Sequence, residues 1–297
     1  MNRAPLRPIT DAEVDAFERD GVVCLAGVLD QDWVMRMRTA LDWVLAHPSV
    51  HGADLGRAGD SGRFVYDNWL WRFSADFRAL AFDSPVASLA ARMMRSRCAN
   101  LVFDFLLVKE PHTSTPTIWH QDQPAINLDG TQTCGIWLPL DHVTYESGAV
   151  EWVRGSHRWP LHRAVTAGDP DKHGYLKGDA GIAGGEDEGR HRPPLPDISA
   201  NRDRYDIVWF ETVPGDAIVS NLRIAHGAPG NATANRRRAI GYRFAGDDAV
   251  YYERKTKLVI KPPVDAGLKH GDPFPDDPRH PVFPRVWPRA ERGRAHA

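Results

Sequence analysis

The chain has 297 residues, 42% hydrophobic and 26% charged, with a formal net charge of -2, which excludes disorder throughout and leaves no global field to attract nucleic acid or an anionic membrane. Cys24, Cys98 and Cys134 lie far apart with no Cys-x-x-Cys pair, which argues against a disulfide framework or a thiolate zinc site. The first residues lack the apolar core of a signal peptide and no run approaches a membrane span, so the expected setting is cytoplasmic with no membrane or nucleic-acid partner.

The expected organisation is one domain over 1–297: helical support over 1–100, a β core over 101–261 with an insertion at 158–204, and a Pro-rich tail at 262–297. Thr10-Asp11-Ala12-Glu13 has the form of a capping box, and Val14 and Phe17 follow at helical spacing, so a helix is expected to about Arg19. Asp20-Gly21 breaks it before a strand at Val22-Val23-Cys24-Leu25. A longer helix follows Leu29-Asp30, with Val34, Met37, Leu41, Val44 and Leu45 on one stripe, and it ends at His47-Pro48. Residues 49–67, rich in Gly and charge, read as a loop, and Ser84-Pro85 starts a further helix running to Met94.

From Leu101 the apolar pattern changes to period two or to short continuous runs. Candidate strands are 101–109, 117–122, 133–140, 149–153, 206–212, 217–221, 237–244 and 250–253, with Gly, Pro and Asp turn signals between them. Many short strands behind N-terminal helices predict a mainly β protein with flanking α-helices, a cupin-like jelly roll or double-stranded β-helix. Between 158 and 204 the pattern collapses into His, Gly, Asp, Arg and Pro, the form either of a lid over the barrel mouth or of a disordered insertion.

One stretch carries chemistry. In Trp119-His120-Gln121-Asp122 an extended backbone points His120 and Asp122 to one face and Gln121 to the other. An imidazole and a carboxylate completed by a second imidazole make the facial triad of non-haem iron(II), and His226, at the end of another β-favouring run, is the candidate. His270-Gly271-Asp272 matches the same pattern, but it lies in the tail without a strand and is read as coincidence.

Phe17-Glu18-Arg19-Asp20-Gly21-Val22-Val23, Val108-Lys109-Glu110-Pro111, Thr117 through Gln123, Gly148 through Arg158 and Gly215-Asp216 through His226-Gly227 together make the chain resemble the phytanoyl-CoA dioxygenase family of Fe(II)- and 2-oxoglutarate-dependent oxygenases. The resemblance implies iron ligands at His120, Asp122 and His226, which are then also the catalytic residues. It places the basic residue for the distal carboxylate of 2-oxoglutarate among Arg236, Arg237 and Arg238, and the match to the family through Asn231 and Ala239-Ile240 favours Arg237; strand alternation lets Arg237 point inward while Arg236 and Arg238 face out. A guanidinium fork suits a carboxylate better than an ammonium does. Trp137, Lys109 and Thr117 are further candidates for cosubstrate contact.

What the resemblance implies chemically is oxidation of a small-molecule substrate with dioxygen, releasing succinate and carbon dioxide. Related halogenases replace the carboxylate ligand by a small residue, so the carboxylate of Asp122 favours hydroxylation. The competing reading is a cupin-like binding protein or a catalytically diverged family member. A zinc hydrolase lacks support, because no His-Glu-x-x-His is present, and neither is a Gly-x-Ser-x-Gly or a phosphate-binding loop.

Overall fold

The computed structural model describes residues 1–57, 59–164, 192–255 and 260–289. The capping box forms as expected: Thr10 and Glu13 cap α1 (Asp11–Asp20), and Gly21 ends it in the left-handed region at φ 80°. The strand β1 (Val22–Leu25) leads into α2 (Gln31–Ala46), capped by the Asp30 side chain and burying Trp33, Val34, Met37, Ala40, Leu41 and Val44. Each such large side chain contributes about 1.5–3 kcal/mol by leaving water.

The stretch 49–67 is not the plain loop its composition suggests. It contains β2 (Ala53–Asp54) and the start of β3 (Phe64–Asn68). The strand β3 is fixed by pairing along its length with β4 (Ala99–Lys109), a tertiary constraint that local composition does not encode. Two helices, α3 (Ala75–Asp83) and α4 (Val86–Met93), fill the approach to β4, and α3 was not anticipated.

The remaining strands are β5 (Thr117–His120), β6 (Leu128–Asp129), β7 (Thr133–Pro139), β8 (Glu151–Val153), β9 (Ile207–Trp209), β10 (Ala217–Asn221), β11 (His226–Ala228), β12 (Arg237–Ala245), β13 (Val250–Tyr251) and β14 (Arg285–Trp287). Among the described residues the larger sheet runs β1-β10-β7-β12-β4-β3-β2 with β14 on β4, and the smaller runs β5-β11-β8-β9. These are the two sheets of a double-stranded β-helix, the expected fold. The outer face of the large sheet packs on the helices through Leu106, Val108, Ile136, Leu138, Ile240 and Tyr242. Its inner face meets the small sheet where Trp137, Ile218 and Ala239 pack with Trp152.

The Pro-rich tail contributes to the core. Val282, Phe283 and Phe274 enter a core cluster with Trp69 and Phe103, and β14 adds a strand beside β4. The insertion is described only at its flanks; 165–191, where most of the expected lid falls, lies outside the described residues. The flanks are tied together, with Arg163 N–H donating to the Pro193 carbonyl and the His162 ring bonding to that of Pro194. Among the described residues no helix is long and apolar enough to cross a membrane.

Candidate metal centre

His120 ends β5 and His226 opens β11, and the antiparallel pairing sets the two directly opposite each other. Their rings lie 4.2 Å apart. Each imidazole is oriented by its own chain: His120 Nδ1 lies 2.8 Å from the Ile118 carbonyl and His226 Nδ1 lies 3.1 Å from that of Ile224. A carbonyl only accepts, so Nδ1 carries the proton and Nε2 keeps its lone pair, the tautomer a metal ligand needs.

Asp122 reaches the same point by a route different from the one alternation predicts. The strand stops at His120, and Asp122 sits in helical conformation at φ -74° and ψ -44°, opening a short 3-10 turn at Gln123–Ala125. Its Oδ1 lies 3.3 Å from His120 Nε2 and 3.8 Å from His226 Nε2. The three ligand atoms fall within 4.8 Å of one another, and among the described residues no other such trio of His, Cys, Asp or Glu occurs. The pattern at 270–272 is not a second site: the His270 ring lies tilted against Tyr252, and Asp272 accepts from the Lys269 N–H.

Gln121 does point away. Its amide donates to the Arg223 carbonyl at 2.7 Å, and its Oε1 accepts from His162 N–H at 2.8 Å, tying the root of the insertion to the strand that carries the ligands.

The electrostatics suit a cation. Burial alone would push the Asp122 carboxyl up, but the charge of Arg243 and the two imidazoles hold it well below the ordinary carboxylate range. Burial, reinforced by the neighbouring His120, lowers His226 to about 4, so it is neutral near pH 7. Two imidazole nitrogens and one carboxylate oxygen with further positions open suit ferrous iron. The cysteines play no part: Cys98 and Cys134 are buried, and burial raises all three thiols.

Arg237 and Lys109 are cross-strand partners on the β12–β4 ladder, both essentially inaccessible to water. The flanking arginines turn outward onto acids. Arg236 pairs with Glu110 at 2.9 Å, and Arg238 pairs with Asp141 at 2.8 Å. Arg237 has no such partner, and its Nε and Nη1 make no hydrogen bond among the described residues. Among the described residues the Lys109 ammonium donates only to the Pro229 carbonyl. Two adjacent buried cations without a bound anion cost several kcal/mol, a cost a bound carboxylate would offset. Burial and the neighbouring Arg237 push the Lys109 ammonium well below its usual value, and burial lowers Arg237 to about 10.

Trp137 joins this group, with the Arg237 guanidinium 5.8 Å from its ring centre and its indole N–H without a hydrogen-bond partner among the described residues. Thr117 stands apart on the small sheet, opening β5 opposite Ala228 beyond a bulge. A residue the sequence reading passed over, Arg243, sits at the metal centre with its Nη2 2.7 Å from Asp122 Oδ2. It lies six residues beyond Arg237 on the same strand, so even spacing was the signal that could have found it.

Residues 17–239 match the phytanoyl-CoA dioxygenase (PhyH) family. Among solved structures, the chain is similar to the non-heme alpha ketoglutarate dependent epimerase SnoN from nogalamycin biosynthesis, at 23% identity and TM-score 0.70 over 95% of this chain and 97% of that one. The carbocyclase SnoK from the same biosynthesis matches at 21% and 0.69 over 96% and 100%. EctD from S. alaskensis, solved with 2-oxoglutarate and 5-hydroxyectoine, matches at 19% and 0.62 over 92% of each chain. At these identities the likeness speaks for the fold.

Proposed function

The chain belongs to the phytanoyl-CoA dioxygenase family, and from that premise we propose that it is an Fe(II)- and 2-oxoglutarate-dependent oxygenase whose metal is held by His120, Asp122 and His226. When bound, ferrous iron with 2-oxoglutarate and dioxygen supplies the oxidising chemistry, converting the keto acid to succinate and carbon dioxide while a substrate C–H bond is oxidised. The observation that carries the reading is that the same fold holds the His-Asp-His cluster and a buried cross-strand pair of basic side chains, Arg237 and Lys109. A site with one metal end and one carboxylate-binding end fits a dicarboxylate that chelates through its keto-acid half.

The chain's own residues then have distinct tasks. The Ile118 and Ile224 carbonyls fix the imidazole tautomers, and Asp122 supplies the anionic ligand. Arg237 and Lys109 take the distal carboxylate, with the Trp137 indole N–H free to donate beside them. Thr117, on the opposite sheet, is proposed to contact the cosubstrate from there.

On the substrate, a small molecule is proposed, with hydroxylation as the outcome because the carboxylate ligand is present. A second outcome, C–H oxidation without oxygen transfer, is supported by likeness to an epimerase and a carbocyclase. The test begins without any substrate: protein, ferrous iron, dioxygen, ascorbate as the two-electron reductant in place of substrate, and 2-oxoglutarate labelled at C1 should release labelled carbon dioxide with equal succinate. Absence of iron-dependent release would favour a cupin-like binding protein instead. With a substrate in hand, labelled dioxygen entering the product separates hydroxylation from rearrangement.

The buried lysine adds a pH dependence. In the ligand-free protein the Lys109 ammonium is pushed below its ordinary 10.5, whereas a carboxylate beside it would raise it again. Binding therefore takes up a proton at any pH between the two values. The half-saturating 2-oxoglutarate concentration is expected to climb as pH rises through that window, by at most about tenfold per pH unit for one proton. Lys109→Gln should flatten the profile; an unchanged slope in that variant would refute the assignment.

A further inference from the structure

Arg243 is the strongest unassigned feature of the molecule. Its side chain is only 8% exposed, yet it stands directly beside a centre that must accept a dication. A second cation there is unfavourable by simple Coulomb repulsion, so its presence calls for a reason.

The fold goes to some length to seat it. The β12–β4 register slips between Arg243 and Phe244, a bulge of the kind that re-aims side chains beside sites. On the other flank, β7 offers Gly135, where a Cβ would come within 2.6 Å of Arg243 Nη1. The guanidinium lies over the Phe105 ring at 4.6 Å. That ring in turn depends on Gly241, where a Cβ would fall 2.1 Å from its edge. Two small residues and one aromatic thus hold the fork against Asp122.

The contact divides the carboxylate. Oδ2 faces Arg243 at 2.7 Å, and Oδ1 faces both imidazole Nε2 atoms. We propose that Arg243 is a positioning residue that keeps Asp122 a one-oxygen ligand, so that the coordination position Oδ2 would otherwise occupy stays open for the keto-acid chelate. A carboxylate free to turn can bind a cation through both oxygens. The inference rests on the iron and 2-oxoglutarate reading above and deepens it.

A merely structural ion pair and this role differ in what they protect. Anaerobic titrations with Fe(II) and then 2-oxoglutarate, read by metal binding and by the visible charge-transfer band of the chelate, separate them. Arg243→Met is expected to bind the metal about as well as the parent protein but to need about tenfold to a hundredfold more 2-oxoglutarate to form the band. Because Arg243→Met leaves Asp122 buried without its counter-ion, a second series removes both groups. Asp122→Ala with added formate should regain the band, since formate can sit against Arg243 as the lost carboxylate did; Asp122→Ala/Arg243→Met with formate should not. A band in Arg243→Met at the parent's 2-oxoglutarate concentration, or equal formate rescue with and without Arg243, overturns the proposal. Failure of the underlying reading looks different: the parent protein would form no band, or His226→Ala would bind metal as well as the parent.

Discussion

His120→Ala is expected to abolish iron binding and to reduce 2-oxoglutarate decarboxylation by roughly a thousandfold or more, the loss of several kcal/mol of transition-state stabilisation. The side chain contacts the Ile118 carbonyl, His226 and Asp122, and Asp122 keeps Arg243 as its partner, so its removal leaves no buried charge unpaired. The fold should survive, and circular dichroism with denaturant unfolding would check that. Asp122→Ala is expected to be equally inactive but also less stable. It strands the buried Arg243 guanidinium, and breaking such a pair costs about 3–5 kcal/mol. An active Asp122→Ala or His120→Ala protein would place the chemistry elsewhere.

Arg237→Ala should raise the half-saturating 2-oxoglutarate concentration by about a hundredfold, the scale of losing charge-assisted hydrogen bonds in a buried site. Arg236→Ala should leave it unchanged, because that side chain is spent on Glu110 at the surface. Steady-state kinetics of carbon dioxide release at varied 2-oxoglutarate distinguish the two. A reversed pattern, with Arg236 sensitive and Arg237 silent, would mean that the inward guanidinium serves another ligand.

These residues also show what could be read from the chain alone. The family match favours Arg237, alternation lets it point inward with its neighbours outward, and the ion pairs of Arg236 and Arg238 agree. The same rule extended six residues would have reached Arg243, but a lone arginine among Gly241, Tyr242 and Phe244 gives no chemical signal until Asp122 is placed opposite it. For His120 and Asp122 the convergence was right and the cause was not: the chain turns into a helical conformation after His120 rather than remaining extended. His226 was found on its run, although the continuous-looking stretch from Ala217 divides, with β10 in the large sheet and β11 in the small one.

The elements that were missed depend on distant pairing. Phe64–Asn68 is a strand because β4 lies alongside it, and Arg285–Trp287 becomes one because β4 has a free flank there. By contrast α3 had local cues, a Ser74 cap with Phe77, Leu80 and Ala81 at helical spacing, too short a run to stand out.

Crystals of the protein soaked anaerobically with Fe(II) and measured at the iron absorption edge test the central claim most directly. The account predicts one anomalous peak, bonded to His120 Nε2, His226 Nε2 and a single oxygen of Asp122. A peak bound elsewhere, or no peak at these three side chains under saturating iron, would contradict it.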